Sequence, residues 1–559
     1  MHNKKTYLAL SSLMLLALLI LVVVTPQRPV TLEDVVRPVL IDTLPVIEHI
    51  WHKASVSLAD YNNDGLVDVF VTTNARGHLY KNKGGSFERV SDEGSGSAFE
   101  HVHMGLWGDV DNDGCKDLFV TRQSEYSYGF YKNNCDGTFT DEGARINPSV
   151  SVNGYGASFI DFDNDGLLDV FAVSFDRDDH RNFSSYALES GGSSNMREVF
   201  NPVVYKENNV LLLQKDGALV RSLPSDSVLS GDLFGSRACA EANGISREAG
   251  RRLGPKFGFK QAYQPVWFDA DLDGLLDVLV TYDFGFSALY RQTAPGDFED
   301  VTYTAGLCKL GNAMGVAVGD IDNDGDFDIY ETNIGSNYLF VNSGKGTFEE
   351  RGAEAGVIDY SNSGWGTSFA DFNNDTLLDI VVSNGREVAP TWPYDEMDKI
   401  FLNKGKERFS EIPVDHRALF ALELDEKEIF NADAAAATGD LNNDGFPDAV
   451  IFRPHTGALY VLFGKPNGNH WLSISLKGTT NNREGIGATI VVESGGVRQA
   501  RVVTAGTSYL SQDDTRQLFG LGKHEYVDTV EVSWSNGAFD VYRGITADQH
   551  IELKEGSGE

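Results

Sequence analysis

Oxygen-bearing side chains recur at positions 1, 3, 5 and 9 of a nine-residue motif that occurs seven times in the 559-residue sequence. The first half of the motif resembles an EF-hand, in which alternate oxygen ligands surround one hard cation and a glycine forms the turn. One Asp-Gly turn is commonly just solvated, but seven copies at one spacing predict up to seven calcium ions. The predicted ligands are Asp60, Asn62, Asp64 and Asp68 (loop 1), Asp109, Asp111, Asp113 and Asp117 (loop 2), Asp161, Asp163, Asp165 and Asp169 (loop 3), Asp269, Asp271, Asp273 and Asp277 (loop 4), Asp320, Asp322, Asp324 and Asp328 (loop 5), Asp371, Asn373, Asp375 and Asp379 (loop 6), and Asp440, Asn442, Asp444 and Asp448 (loop 7).

Short apolar, β-branched runs follow position 9, as in residues 69–71 and 278–280, and they predict strands. The motif lies in a unit of about 50 residues that has room for four short strands. Radial repetition of such units predicts an all-β fold, a seven-bladed β-propeller with calcium-binding loops over residues 45–465. Insertions are expected at about 176–206 and 223–260. The alternative for this long interval is an eighth, degenerate blade.

Alternating strands without acidic loops continue after residue 465 and predict a small C-terminal β domain over residues 466–559. Arg483, Gln512 and Arg516 lie in its polar turns. Such residues usually have a structural role, and a ligand site is the alternative.

The acidic loops and the strand segments at residues 78–82 and 337–342 resemble the FG-GAP/VCBS family, which implies a calcium-binding propeller. Residues 482–488, 505–512, 519–522 and 530–537 resemble segments of the ASPIC/UnbV domain. The whole layout is similar to the cartilage acidic protein 1-like family. Thr376 departs from the pattern because it replaces the loop glycine, so a distorted or weak site is expected in loop 6.

Residues 1–30 predict an N-terminal transmembrane helix. Lys4 and Lys5 precede an unbroken apolar stretch from Tyr7 to Val24, which as a helix would span about 27 Å. No small-residue cleavage motif follows, so an uncleaved anchor is favoured over a cleaved signal peptide. The two lysines would stay in the cytoplasm. The bulk of the chain is therefore expected to be periplasmic or extracellular and membrane-anchored, or secreted if the segment is cleaved.

Four cysteines are present, an even number in a chain that is predicted to be exported. Cys115 and Cys135 lie in turns at the same end of one predicted blade, so a disulfide between them is expected. Cys239 and Cys308 are the second expected pair, and four reduced cysteines are the alternative.

The chain carries 82 acidic and 46 basic residues, a formal charge of −36 that argues against binding to nucleic acid. Twenty-five of the acidic residues are predicted calcium ligands. Much of the acidity therefore belongs to predicted ion sites rather than to a general surface coat.

No catalytic residues can be assigned from the sequence. His101 and His103, near His49 and His52, form a possible second site for a transition metal, although packing is the more common role of such residues. The favoured function is a membrane-anchored calcium-binding module for adhesion to an extracellular or periplasmic protein or glycan. The alternative is a metal-assisted enzyme that acts on a polysaccharide or a secondary metabolite in a pocket on the propeller face.

Overall fold

The computed structural model describes residues 30–44, 53–73, 76–90, 99–122, 128–143, 154–174, 210–215, 218–221, 239, 242, 262–283, 285–360, 362–385, 397–420, 434–454 and 456–559. The described chain is all-β, with 37 strands and three short helices, α1 (Leu32–Val35), α2 (Gly352–Ala355) and α3 (His416–Phe420). The predicted anchor and both predicted insertions lie outside the described residues, except for single positions in the second insertion. Among the described helices, none is long and apolar enough to cross a membrane.

Seven antiparallel four-stranded sheets follow one another along the chain, each with one acidic loop between its first and second strands. Sheet 1 contains β2 (Ser55–Ala59), β3 (Asp68–Thr73), β4 (Arg76–Asn82) and β5 (Phe87–Arg89); sheet 2, β6 (Val102–Gly108), β7 (Asp117–Arg122), β8 (Gly129–Asn133) and β9 (Phe139–Asp141); sheet 3, β10 (Gly154–Ile160), β11 (Asp169–Ser174), β12 (Val210–Lys215) and β13 (Ala218–Arg221); sheet 4, β14 (Ala262–Phe268), β15 (Asp277–Tyr282), β17 (Ala288–Ala294) and β18 (Asp297–Asp300). Sheet 5 contains β20 (Ala313–Gly319), β21 (Asp328–Asn333), β22 (Tyr338–Asn342) and β23 (Phe348–Glu350); sheet 6, β24 (Ser363–Ala370), β25 (Asp379–Gly385), β26 (Asp398–Asn403) and β27 (Phe409–Val414); sheet 7, β28 (Ala435–Gly439), β29 (Asp448–Arg453), β30 (Ala458–Gly464) and β1 (Val36–Thr43). A two-stranded pair, β16 (Gly285–Phe286) and β19 (Leu310–Gly311), lies beside sheets 4 and 5.

The first strands of neighbouring sheets contact one another, and β28 of sheet 7 contacts β2 of sheet 1. The seven sheets therefore form a ring, an arrangement consistent with a β-propeller. β1 completes sheet 7 from the other end of the repeat region, pairing with β30 from Val36↔Gly464 to Thr43↔Ala458. The ring thus begins before residue 45, where the sequence prediction placed its start, because β1 carries no acidic loop that would mark it.

Neighbouring sheets pack face to face, which buries both faces of the second strands. Every residue of β3, β21 and β29 is buried. Glycines in the first strands allow this close approach: a Cβ atom on Gly156 would lie 1.8 Å from the carbonyl oxygen of Tyr263, and one on Gly315 2.3 Å from that of Trp365. Larger residues at these two positions would separate neighbouring sheets.

Two further sheets form the C-terminal domain. The first contains β34 (Gln517–Gly522), β31 (His470–Lys477) and β37 (Gln549–Lys554), and the second contains β33 (Val497–Val502), β32 (Thr489–Ser494), β35 (Tyr526–Ser533) and β36 (Phe539–Thr546). Leu472, Ile490, Phe519 and Trp534 form part of its core, which continues into the ring through residues such as Leu106. The C-terminal domain and the ring therefore share one apolar core.

A segment of the C-terminal domain, residues 505–514, enters the centre of the ring, and we call it the plug. The inner edge of each first strand would otherwise leave backbone groups without partners. Ser508 exchanges backbone hydrogen bonds with Val316 of sheet 5, at 2.8 and 3.1 Å, and Gln512 does so with Val56 and Leu58 of sheet 1, at 3.0 Å each. The side chain of Tyr509 is fully buried. The plug thus ties the inner strands of separate sheets to one chain segment.

Both predicted disulfides are present, Cys115–Cys135 and Cys239–Cys308. The first joins the acidic loop of sheet 2 to the turn between its third and fourth strands, as predicted. The second joins the 222–261 segment to the chain that follows β18.

Replacement of Gln512 by alanine is expected to lower the free energy of unfolding by about 2–4 kcal/mol. The Gln512 side chain is fully buried, accepts a hydrogen bond from the Trp107 N–H at 2.7 Å and donates one to the Trp107 carbonyl at 3.0 Å. Both backbone groups would lose their partner. Gln549→Ala, at a more exposed position, is the control and should cost less than about 0.5 kcal/mol in thermal or urea unfolding. Equal losses in the two variants would contradict the role assigned to the plug.

Candidate metal sites

The aspartate at position 9 of each loop is a buried structural anchor. It begins the second strand, and its two oxygens accept backbone hydrogen bonds from position 2 of the loop and from the end of the third strand. In sheet 1, Asp68 Oδ2 accepts from Tyr61 N at 3.3 Å and Oδ1 from Asn82 N at 2.7 Å. The donors in the other sheets are Val110 and Asn133 to Asp117, Phe162 and Gln214 to Asp169, Ala270 and Gln292 to Asp277, Ile321 and Asn342 to Asp328, Phe372 and Asn403 to Asp379, and Leu441 and Gly464 to Asp448.

A side-chain amide at the end of the third strand joins five of the seven sheets to the preceding sheet, a role that the sequence prediction missed. The Asn82 amide donates to the carbonyl of Val67 in its own sheet and to that of Leu441 in sheet 7, at 2.8 and 2.6 Å. Asn133, Gln214, Asn342 and Asn403 make the same bond to position 2 of the preceding loop. Their recurrence at the end of the third strand was the available signal.

Position 4 of each loop adopts the left-handed conformation, and in five loops its side chain links the loop to the next one. Asn63 in loop 1 has φ 55°, and its amide donates to the carbonyl of Gly114 in loop 2 at 2.9 Å. Equivalent bonds join Asn112 to Gly166, Asn323 to Thr376, Asn374 to Gly445 and Asn443 to Gly65, so that loop 7 is bonded back to loop 1. In the described residues no such bond leaves loop 3, which has Asn164, or loop 4, which has Leu272.

In each of four loops, the structure brings three of the four predicted ligands together. Carboxylate oxygens lie within 4.8 Å of one another in Asp109, Asp111 and Asp113; in Asp161, Asp163 and Asp169; in Asp269, Asp271 and Asp273; and in Asp320, Asp322 and Asp324. Loops 1, 6 and 7 have an asparagine at position 3, so the same location offers an amide oxygen in place of one carboxylate.

Several carboxylate oxygens in these loops are buried without a hydrogen-bond donor. They are Oδ1 of Asp109, Asp161, Asp271, Asp322 and Asp326, the last at position 7 of loop 5. A buried, unpaired carboxylate oxygen costs free energy unless a cation neutralises it. All of the available ligand atoms are oxygens, and several of them carry negative charge. The residues therefore fit a hard divalent cation such as Ca²⁺.

Burial raises the pKa of the carboxyls at positions 1 and 9 of the loops in the absence of a cation. The pKa of Asp68 is raised to about 8 and that of Asp117 to about 7, mainly because both groups are desolvated. At position 1, burial raises the pKa of Asp109 to about 7 and that of Asp161 to about 6. The backbone hydrogen bonds to these groups oppose the shift without cancelling it. Each loop therefore has an electrostatic deficit that a cation would relieve.

Loop 6 keeps the geometry of the other loops although Thr376 replaces the glycine. Thr376 has φ 84°, the same value as Gly65 in loop 1. Its N–H donates to Asp371 Oδ2 at 2.8 Å, as Gly65 N does to Asp60 Oδ2. The distortion expected from the sequence is therefore absent, and the loop instead holds a non-glycine residue in a strained conformation.

The C-terminal domain covers the acidic-loop end of the ring. Glu484 accepts a hydrogen bond from Asp109 N at 2.7 Å, and Arg483 Nε lies 3.3 Å from Asp109 Oδ2. Arg516 donates to the carbonyl of Asp440 in loop 7 at 3.0 Å. The buried guanidinium of Arg501 interacts electrostatically with Asp320 of loop 5 and with loop 6. Arg483, Gln512 and Arg516 thus have the structural role favoured by the sequence prediction.

A cavity of about 100 Å³, with both polar and apolar lining residues, remains between the C-terminal domain and sheets 5 to 7. Asp371, Arg501, Asp513 and Arg516 are among its lining residues. Ligand pockets usually exceed about 300 Å³, so this cavity suits a few water molecules better than a sugar.

The two histidines proposed as a metal pair are placed differently from each other. His103 lies within β6, is buried, and its Nδ1 is 2.8 Å from the carbonyl oxygen of Gly154. His101 precedes the strand and has φ 61°. The two residues therefore do not lie on one strand, and metal binding by them stays a prediction. His49 and His52 lie outside the described residues.

Leu272→Asn is expected to raise the free energy of unfolding by about 0.5–1.5 kcal/mol. Leu272 has φ 60° and its side chain is 49% exposed, whereas asparagine tolerates this conformation better and could donate to loop 5 as its counterparts do. Leu272→Ala is the matched control, since it removes the same side chain and keeps a residue that disfavours this conformation. If thermal unfolding does not separate the two variants, the link between loops adds nothing to stability.

Family models match two parts of the chain. A model described as FG-GAP-like repeat matches residues 60–120, 109–172, 269–331 and 328–382, and a model described as ASPIC and UnbV matches residues 478–559. The first set covers acidic loops 1 to 6, and the second lies in the C-terminal domain.

Three solved structures are similar at low sequence identity. An Agrocybe aegerita protein described as recognising non-reducing terminal N-acetylglucosamine is 16% identical, with a TM-score of 0.37 and coverage of 65% of this chain and 80% of that one. The V. cholerae biofilm matrix protein Bap1 is 11% identical, with a TM-score of 0.31 and coverage of 91% and 76%. The BBS1N chain of a complex with ARL6DN is 9% identical, with a TM-score of 0.40 and coverage of 78% and 98%. Scores of this size support no conclusion about ligands.

Curated relatives are similar over part of their length. Cartilage acidic protein 1 of Mus musculus is 29% identical over 335 residues, with coverage of 50% of each chain, and that of Homo sapiens is 30% identical over 317 residues, with coverage of 47% of this chain and 46% of the relative. The chain therefore spans about half the length of the curated relatives it matches. The chain is a protein of FG-GAP-like repeats with a C-terminal ASPIC and UnbV domain, and it is similar to cartilage acidic protein 1 over about half of each chain.

Proposed function

We propose that the ring is a seven-bladed β-propeller whose acidic loops bind Ca²⁺, and that the protein is an extracytoplasmic binding module for a protein or a glycan. The calcium assignment rests on one observation: several carboxylate oxygens in the loops are buried and have no hydrogen-bond donor. Asp161 Oδ1 is one of them. Loop 3 illustrates the site: Asp161, Asp163 and Asp169 converge and Asp161 is 3% exposed. A bound cation would neutralise charges that burial otherwise penalises.

The donor set favours Ca²⁺ over other common metals. Carboxylate, amide and carbonyl oxygens suit calcium, which accepts irregular coordination by six to eight oxygens, whereas magnesium is bound mostly with retained water. Zinc and copper prefer nitrogen and sulfur ligands. The sulfurs near loop 2, those of Cys115 and Cys135, are joined in a disulfide.

The partner surface is proposed to lie at the end of the ring opposite the acidic loops. The C-terminal domain covers the loop end, and the plug occupies the inner edges of the first strands. β11 and β13 end at this opposite end of the ring, and β12 and β14, the next strands in the sequence, begin there. Long connections on a rigid β scaffold are common locations for binding residues.

The compartment is proposed to be extracytoplasmic because both pairs of cysteines are oxidised, and disulfides persist mainly outside the cytoplasm. Residues 1–30 are proposed as the membrane anchor of the same protein, in agreement with the apolar stretch between Tyr7 and Val24. A cleaved signal peptide would give a secreted form with the same described domains.

Chelation of calcium by EGTA is expected to lower the melting temperature of the full chain. Each ion bound to the folded state alone contributes about 2.7 kcal/mol when its concentration is 100 times Kd. Several such sites would therefore shift unfolding by many degrees. Addition of Ca²⁺ should restore the melting temperature. NaCl at equal ionic strength should not restore it, because NaCl screens the −36 charge to the same extent but cannot fill the calcium sites. An unchanged melting temperature in EGTA would overturn the calcium assignment.

Partner binding is expected to depend on exposed aromatic residues at the end opposite the acidic loops. Tyr360 is 63% exposed and close to Asn362, whose carbonyl accepts a hydrogen bond from Gly335 between β21 and β22. Aromatic rings contribute strongly to protein and glycan contacts. On a glycan array or a panel of extracellular proteins, Tyr360→Ala should weaken binding of any hit about ten-fold, or about 1.4 kcal/mol. Tyr526→Ala, with 61% exposure in the C-terminal domain, should not. The reverse result would place the partner surface on the C-terminal domain.

A further inference from the structure

The residue at one register position of the third strand is charged in some sheets and apolar in others, and the charged residues contact the acidic loops. It immediately precedes the residue whose N–H bonds to the position-9 aspartate. In sheets 1 and 2 it is a lysine, and in sheet 4 an arginine, whereas the other sheets have an apolar residue there. The residues from sheet 1 to sheet 7 are Lys81, Lys132, Leu213, Arg291, Val341, Leu402 and Phe463.

The two lysines bind the oxygens that a cation would use. At position 5, Oδ1 of Asp113 accepts the N–H of Cys115, which leaves Oδ2 for another partner. Lys132 Nζ lies 2.9 Å from that Oδ2 and also contacts Asp111 Oδ2 at position 3. The ammonium group therefore joins two of the proposed calcium ligands of loop 2.

Loop 1 shows the same arrangement with one carboxylate fewer. Oδ1 of Asp64 accepts the N–H of Leu66, and Lys81 Nζ lies 3.0 Å from Asp64 Oδ2. Asn62 occupies position 3, so the lysine meets a loop of lower charge. In sheet 4 the contact is longer, with Arg291 Nη1 3.5 Å from Asp271 Oδ2, and Arg291 also approaches Glu299.

Loops 3 and 5 present the contrasting case. Leu213 and Val341 stand at the register position and are buried. Within the described residues, no lysine or arginine forms an ion pair with Asp161, Asp163 or Asp165, and none with Asp322 or Asp324. Buried oxygens without donors remain in Asp161 and Asp322, as one does in Asp109 of loop 2, so the contrast lies in the ion pairs.

We propose that Lys81 and Lys132 are internal counter-ions that occupy the ion positions of loops 1 and 2, so that these loops bind calcium more weakly than loops 3 and 5. The inference rests on the proposed calcium function. A cation that enters loop 2 must first displace an ammonium group held by two carboxylates. Charge-assisted hydrogen bonds of this kind are worth enough to lower affinity by about ten-fold or more. The chain then has two classes of calcium site, set by one residue in each sheet.

Calcium titration of the chelator-stripped full chain tests this inference. We expect the wild type to show a tight class and a weak class of sites. Lys132→Met keeps the aliphatic stem and should move one ion from the weak to the tight class, with Kd lowered about ten-fold. Lys81→Met should move a second ion, and the double variant should move both. Two separate variants guard against a loss of folding in either one, and melting at saturating calcium confirms that each is folded.

Lys83→Met is the matched control. Lys83 lies in the turn between β4 and β5 of the same sheet and pairs with Glu88 at 3.3 Å on the surface, so the isotherm of Lys83→Met should equal that of the wild type. Wild-type sites of a single affinity with unchanged isotherms in folded Lys81→Met and Lys132→Met would overturn this inference and leave the calcium function intact. No calcium binding by any form would overturn both.

Discussion

The buried aspartate at position 9 is the interaction on which the rest of the ring depends. Its two oxygens hold the beginning of the acidic loop and the end of the third strand, so one carboxylate fixes three strands of its sheet. In sheet 1 the donors to Asp68 are Tyr61 and Asn82, and the Asn82 amide then reaches the preceding sheet. The aspartate recurs in all seven sheets, and in five of them the amide residue that bonds to it also bonds to the preceding sheet, so the same polar contact orders each sheet and joins most neighbouring sheets.

This arrangement places charge where water is scarce. Burial raises the pKa of Asp68 and Asp117, and several other loop oxygens lack donors. The chain offers partial compensation through its own cations: Lys81 and Lys132 from within the sheets, and Arg483 from the C-terminal domain. Bound calcium, as proposed, would neutralise the remaining negative charge of the buried carboxylates. The C-terminal domain is thus more than an appendage, since it covers the charged end and fills the centre of the ring.

The acidic repeats, both disulfides and the C-terminal domain could be predicted from the sequence, because each depends on residues at regular spacing or in recognisable segments. Spacing could not identify β1, which completes sheet 7 without any loop motif. Residue spacing also could not show that residues 505–514 enter the ring, because in the sequence Gln512 looks like an ordinary polar turn residue. A distorted loop is expected at Thr376 because glycine is missing, yet Thr376 has the same φ as Gly65 and its N–H donates to Asp371 Oδ2 as in the other loops. Long-range contacts decide the first two features, and local sequence carries no signal for them.

The most direct test of the central claim is a crystal structure of the full chain grown with calcium, with anomalous scattering recorded to locate the ions. The account predicts anomalous peaks within the acidic loops, each within 2.3–2.6 Å of the oxygens at positions 1, 3 and 5. The peaks should be strongest in loops 3 and 5. Anomalous maps without peaks at any acidic loop, from crystals grown in millimolar calcium, would contradict it.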